Sequence, residues 1–279
     1  GVSTEIPYKV VGYELDMIVW LPLAGISAAG VGLIIAPLAV RLKGLNLALV
    51  SIGIVYIGSY ILSNLNLVTG GAGLGRKTAG YTLLGFNFED GIEIGSIILT
   101  RNQVLYYLGL VVALLCGIGV KNLIRSKIGR AYAAIRDRDI AAEAIGINLS
   151  RFKASAFALS SFYAGIAGAL MFSTIGGVDV ERFGLLFSVT FIAIVVIGGV
   201  GTVMGPIFGS VFFGLLPGII KFGIDHSEFI RDSIPLNAAQ LERVIFGLLI
   251  VVFLIFEPRG IWGIWFRLRN YFKAWPFSY

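Results

Sequence analysis

Few side chains in this chain could perform covalent or metal chemistry, and they are scattered. The only histidine, His226, stands in a polar stretch with Asp225 and Glu228. One histidine and two carboxylates can touch a cation, but a fixed site wants a second His or Cys, so a solvated loop explains the trio. The only cysteine, Cys116, lies in an apolar run with no partner for a disulfide or a metal. The turn Gly198-Gly-Val-Gly-Thr202 has the glycines of a phosphate cradle, yet no Gly-Lys-Ser/Thr follows and both flanks read as apolar helix. Neither a catalytic residue nor a metal ligand emerges.

What stands out instead is one charge-dense segment, Lys121 to Lys153, reading KNLIRSKIGRAYAAIRDRDIAAEAIGINLSRFK. Its basic residues Lys121, Arg125, Lys127, Arg130, Arg136, Arg138, Arg151 and Lys153 outnumber the acids Asp137, Asp139 and Glu143, which places it on the cytoplasmic side of a membrane. The middle, Ala131 to Ile145, has Ala, Arg and Glu without Gly or Pro, so its composition predicts one helix. Gly146 supplies the stop. Within that helix Asp139 and Glu143 are four residues apart with like charge, a small cost unless a positive surface answers them.

The elements around this segment are hydrocarbon. Apolar residues make up 57% and charged residues 14%, against about a quarter charged in soluble domains, and the mean hydropathy is +0.89. Such a chain is an integral membrane protein. The net charge of +6 is a surplus of cations on one face of a bilayer rather than a nucleic-acid surface. The opening GVSTEIPYKVVGYELD has neither the basic start nor the apolar core of a signal peptide.

Seven spans are visible, each near the roughly 20 residues that cross a bilayer. Met17 to Val40 carries a stripe of Ala24, Ala28, Gly32 and Ala36 that lets another helix approach closely. The connector Arg41-Leu-Lys43 leads to Gly44 to Ser63, with Asn46, Ser51 and Tyr56 as its polar side chains. Asn64, Asn66 and the glycine-rich Thr69 to Gly75 follow, too rich in glycine to be helical. Bare backbone there can line an aqueous path through the membrane. Asn46, Asn64, Thr69, Gly70 and Gly71 are candidates for the solute pathway; the alternatives are helix–helix hydrogen bonds for the polar side chains of the span and an exterior turn for the glycines. Arg76 to Thr100 predicts a short hairpin or interfacial segment, and Val104 to Val120 the third span. After the charged segment come Ala154 to Ser173, with a second stripe at Ala156, Ser160, Ala164 and Gly168, then Phe183 to Val200. The glycine turn joins these to a sixth span ending near Ile220. A polar loop, Lys221 to Gln240, precedes the last span, Leu241 to Phe256. The tail 258–279 is amphipathic if helical, with Ile261, Ile264, Trp265, Leu268 and Phe272 on one face. Such a tail lies in the membrane interface.

The wording of the charged segment, a basic run, IGRAYAAIRD, AAEAIGIN and a basic entry to a small-residue helix, resembles the cytoplasmic coupling loop of ABC importer permeases. More narrowly it is similar to the M-type membrane subunit of branched-chain amino acid importers, a family that includes urea and short-chain amide permeases. GLNLALVSIG at Gly44 to Gly53, VTGGAGL at Val68 to Leu74, VIGGVGTVMGPIFGS at Val196 to Ser210 and FEPRGIWG at Phe256 to Gly263 extend the resemblance over most of the chain. It implies that Arg136, Asp137, Asp139, Ala142, Glu143, Ala144 and Gly146 meet an ATPase subunit. The partners it implies are a homologous second permease, two cytoplasmic ATP-binding subunits and an external solute-binding protein, with ATP and magnesium on the ATPases and no cofactor here. It also implies amino-terminal helices upstream of Gly1.

With the charged segment inside, the RLK connector and the tail also fall inside, the amino end falls outside, and most acids lie outside. The spans carry no ionisable side chain in their interiors, where a proton- or sodium-driven carrier keeps some despite about 2.5–3.5 kcal/mol each. Drive from a separate ATPase fits this. The expected molecule is thus an all-α polytopic permease subunit, one membrane domain over residues 1–279. The rival is a facilitative channel for a small neutral solute, which needs no coupling loop.

Overall fold

A computed structural model describes residues 16–42, 44–65, 82–83, 85–89, 91–94, 97–177, 183–226, 238–256 and 260–274. Thr69, Gly70 and Gly71 lie outside them. The chain divides into two compact units, Gly1–Leu185 and Leu186–Tyr279.

The first unit opens with α1 (Met17–Arg41) and α2 (Leu45–Asn64). Two antiparallel hairpins follow, β1 (Thr82–Leu83) with β2 (Phe86–Asn87) and β3 (Ile92–Ile94) with β4 (Ile97–Leu99). Then come α3 (Arg101–Arg125), α4 (Lys127–Asp137), α5 (Asp139–Ala144) and α6 (Leu149–Ile175). The second unit holds α7 (Leu185–Gly198, whose first residue ends the first unit), α8 (Met204–His226), α9 (Ala238–Phe256) and α10 (Gly260–Ala274).

Among the described residues five helices are long and apolar enough to cross a membrane: α1, α2, α3, α6 and α8. Helix is the form an apolar run takes in lipid, because it satisfies every backbone amide and carbonyl internally. The expected fifth span appears as α7, a shorter apolar helix of 14 residues. The sixth overruns its expected end, Ile220, by more than a turn, so Lys221 to His226 are helical rather than loop. The spans around the charged segment also overrun it, α3 to Arg125 and α6 from Leu149. A helix that leaves the hydrocarbon gains nothing by stopping at its edge, since its hydrogen bonds continue into the headgroup layer.

The core of the first unit is the α1–α6 crossing, where backbones meet at glycines. A Cβ on Gly165 would lie 2.6 Å from Ala24 O and 2.6 Å from Ala28 Cβ, and one on Gly25 would lie 2.7 Å from the Phe162 ring. Gly32 sits against Ser161 in the same way. The α1 stripe is therefore a packing seam, as expected. The α6 stripe is not the expected one: Ser160 and Ala164 are exposed, and a Cβ on Gly168 would meet nothing within 4 Å. The seam uses the adjacent row, Ser161, Gly165 and Ala169, with Ser173 buried further along it. Both rows have a period of four, and the second also brings Phe162 and Ile166 onto α1.

Phe88, fully buried between the hairpins, packs with Met17 and Leu21 of α1, Val104 and Leu105 of α3, and Ile166 and Ala169 of α6. It pins the Thr82–Leu99 segment to one end of that three-helix group. No residue of α2 is buried. A helix apolar all round and uncovered by its own chain needs lipid or another subunit against it.

Candidate functional site

The charged segment folds as two short helices slung between two long ones. Helix α3 stops at Ser126, whose Oγ donates to Leu123 O (2.7 Å) and accepts from Ile128 N (3.2 Å) and Gly129 N (3.3 Å). Serine in this position caps the next helix and satisfies amides that would otherwise lack partners. Gly129 is buried against Leu123 and Ile124 carbonyls so closely that a side chain has no room. Helix α4 thereby turns off α3 with no slack.

Where composition predicts one helix over Ala131 to Ile145, the structure has two. Arg138 adopts φ −154° and ψ 104°, ending α4 and starting α5. Straight continuation from Lys127 to Ala144 would make a rod about 27 Å long and carry the chain away from α6, which it must rejoin. The corner brings it back. Asp139 favours the restart: its Oδ1 accepts from Ile140 N (3.0 Å), and a carboxylate suits a first turn.

Gly146 ends α5 as expected, at φ 87°. Its amide donates to Glu143 O (2.9 Å), and that of Ile147 to Ala142 O (3.0 Å). This pair of bonds is a Schellman cap. Two residues on, Asn148 Oδ1 accepts from Arg151 N (3.1 Å) and caps α6. Helix α4 is held on α6 by Tyr132, whose hydroxyl lies 2.9 Å from Ser155 Oγ and whose ring meets Phe152 edge-on, centroids 6.0 Å apart.

Of the residues expected to face a partner, Arg136, Asp137, Glu143, Ala144 and Gly146 are exposed and Asp139 is half-buried. Arg136 Nε donates to Asp137 Oδ1 (3.3 Å). Ala142 is turned inward, only 1% exposed, so it positions α5 rather than presenting a surface. Sequence reasoning missed Ile140, which is 80% exposed at the corner. The sequence signal for it is an isoleucine placed directly after four consecutive charged residues, Arg136 to Asp139.

The corner forms one wall of an open cleft of about 680 Å³, lined by Ile135 to Ala141, Ala144 and Lys153. A second cleft, about 360 Å³, shares Asp139 and Lys153 and reaches Leu42, Gly44 and Leu47 at the α1–α2 connection. The α1–α2 connection and the charged segment thus lie together, at the same end of the first unit. Asn46 and Asn64 do not come together: they stand exposed in the first and last turns of α2, roughly 27 Å apart along its axis. Asn64 Nδ2 donates to Tyr60 O (2.8 Å) within the helix. Among the described residues no group of three or more His, Cys, Asp or Glu could hold a metal.

Comparison with known proteins agrees with this architecture. Residues 7–254 match the family described as branched-chain amino acid transport system / permease component. The high-affinity branched-chain amino acid transport system permease LivM of Salmonella typhimurium is 29% identical over 89% of this chain and 58% of its own length. BraD of Pseudomonas aeruginosa, with the same description, is 30% identical over 65% of this chain and 54% of its own. The fructose import permease FrcC of Rhizobium meliloti is 28% identical over 59% of this chain and 42% of its own. The chain spans a little over half the length of the curated LivM and BraD relatives. No solved structure matches it. With apolar helices long enough to cross a bilayer and a family match over most of its length, this multi-pass membrane protein belongs to the permease family of branched-chain amino acid transport systems.

Proposed function

We propose that this chain is the permease subunit of an ATP-driven importer for branched-chain amino acids or a related small solute such as urea or a short-chain amide. Seven helices cross the membrane, α7 and α9 joining the five longest, with the amino end outside. The observation that carries the reading is the α4–α5 corner: a capped, charged pair of helices held rigidly between two spans and exposed at its tip. A channel gains nothing from such a device. A transporter powered by a separate ATPase needs one, because motion of the ATPase must reach the spans through a stiff contact.

In this reading Arg136, Asp137, Asp139, Glu143, Ala144 and Gly146 meet an ATP-binding subunit, with Ala142 seating α5 from within. A homologous permease covers part of α2, an external binding protein delivers the solute, and ATP and magnesium reside on the ATPases. The pathway includes the Thr69–Gly71 backbone, with Asn64 at its entrance and Asn46 toward its inner end. The identity to LivM and BraD favours branched-chain amino acids, and the weaker similarity to a fructose permease is what leaves the solute class to experiment.

The test is purification of the tagged chain from its native membrane. An ATP-binding subunit and a second permease should come with it, and solute uptake in vesicles should require ATP. A chain that purifies alone and passes solute without ATP is a channel.

A further inference from the structure

Helix α10 joins the rest of its unit by one side and turns its greasiest side away. Gly260, at φ 63°, is buried so tightly that a Cβ there would lie 2.5 Å from Ile197 O and 2.6 Å from Gly199 N. Gly263 is buried too, and the Trp262 ring lies 5.6 Å from that of Phe208 on α8. On the helix surface Tyr271, Ile264, Leu268, Phe272 and Trp265 form a continuous stripe, roughly opposite Gly263. All five are exposed, from 42% at Ile264 to 69% at Phe272. Arg267 borders the stripe on one edge and Arg269 on the other, both exposed. Over Gly260–Ala274 the sequence holds Arg267, Arg269 and Lys273 and no acid.

We infer that α10 is an anchor for anionic phospholipid, holding the α7–α8 turn at the bilayer surface. An apolar stripe edged on both sides by arginines fits hydrocarbon below and phosphate at each flank. The same stripe fits a second copy of this chain poorly, since pairing like faces sets arginine against arginine. The α1–α6 crossing, by contrast, brings its backbones together at glycine and small residues. Each Lys or Arg near an anionic surface strengthens attachment about fivefold. Because Gly260 and Trp262 fix the start of α10 to α7 and α8, lipid that holds the helix also fixes that hairpin relative to the membrane. The inference needs only that the chain resides in a membrane, and depends on no ATPase or solute.

The experiment places a nitroxide on Tyr271→Cys of the full chain in a Cys116→Ser background. The chain is reconstituted in phosphatidylcholine vesicles with or without phosphatidylglycerol, and label depth is read from collisions with oxygen against a water-soluble nickel chelate. Insertion should rise with phosphatidylglycerol, and R267Q/R269Q/K273Q should shift the equilibrium toward water by roughly a hundredfold. Equal depth in both vesicles, or no change in the triple variant, overturns the anionic requirement. A label that stays in water in every vesicle overturns the anchor itself and points to a protein partner. Since no transport is measured, loss of this anchor and loss of the importer reading are separately visible.

Discussion

The Tyr132 hydroxyl lies 2.9 Å from Ser155 Oγ and is the described side-chain hydrogen bond that fastens α4 to α6. Ser155 also donates to Phe152 O (2.9 Å) within its own helix, so it is held in place to receive the tyrosine. In the proposed coupling, this contact and the neighbouring Phe152 ring are the route from the α4–α5 corner to the α6 span.

Tyr132→Phe and Ser155→Ala each remove this bond and leave the ring contact intact. A hydrogen bond of this kind contributes about 1 kcal/mol net. Each single variant should lower solute-stimulated ATP hydrolysis severalfold, and the double variant should be no worse than either. Strict additivity would show that the two residues act independently.

The α1–α6 crossing predicts opposite outcomes for two glycines on one helix. Gly165→Val drives a side chain into Ala24 and Ala28, and overpacking of this kind costs about 1–3 kcal/mol or more. Gly168→Val places its side chain in open space. The thermal midpoint of the detergent-solubilised chain should fall clearly for the first and stay near the parent for the second. The reverse pattern would mean the seam runs along the other row, and equal effects would contradict a seam at Gly165.

Sidedness is tested by single cysteines in a Cys116→Ser background. Glu89→Cys, next to the buried Phe88, should react with an impermeant thiol reagent from outside the cell. Ile140→Cys, at the exposed corner, should react only from inside. The reverse pattern would invert the topology.

Five of the seven expected spans, the α1 stripe, the Gly146 stop and the hairpin region were legible because each rests on composition or on a residue with a unique backbone preference. The break at Arg138 was not. No Gly or Pro marks it, and propensity differences of a few tenths of a kcal/mol per residue yield to the need to return the chain to α6. The α6 seam was ambiguous for another reason: Ser160, Ala164 and Gly168 repeat with the same period as Ser161, Gly165 and Ala169. Only the bulky neighbours Phe162 and Ile166, which must also find a place, select between them. Of the expected coupling residues, Ala142 alone is buried, which composition does not reveal, since a small residue serves equally at a partner contact and beneath a tight helix.

Coupling through the corner is tested most directly with Glu143→Arg and Ala144→Trp, both at exposed positions of α5, beside Lys121→Gln on α3 as a control. An interfacial charge that loses its partner costs about 2–5 kcal/mol, and a bulky ring at Ala144 obstructs a close approach. The measurement is uptake and binding-protein-stimulated ATP hydrolysis of the complete transporter in vesicles. Both loop variants should insert and pair with the second permease normally, yet lose both activities while the control keeps them. Transport by either loop variant at the control's rate would contradict coupling through this corner.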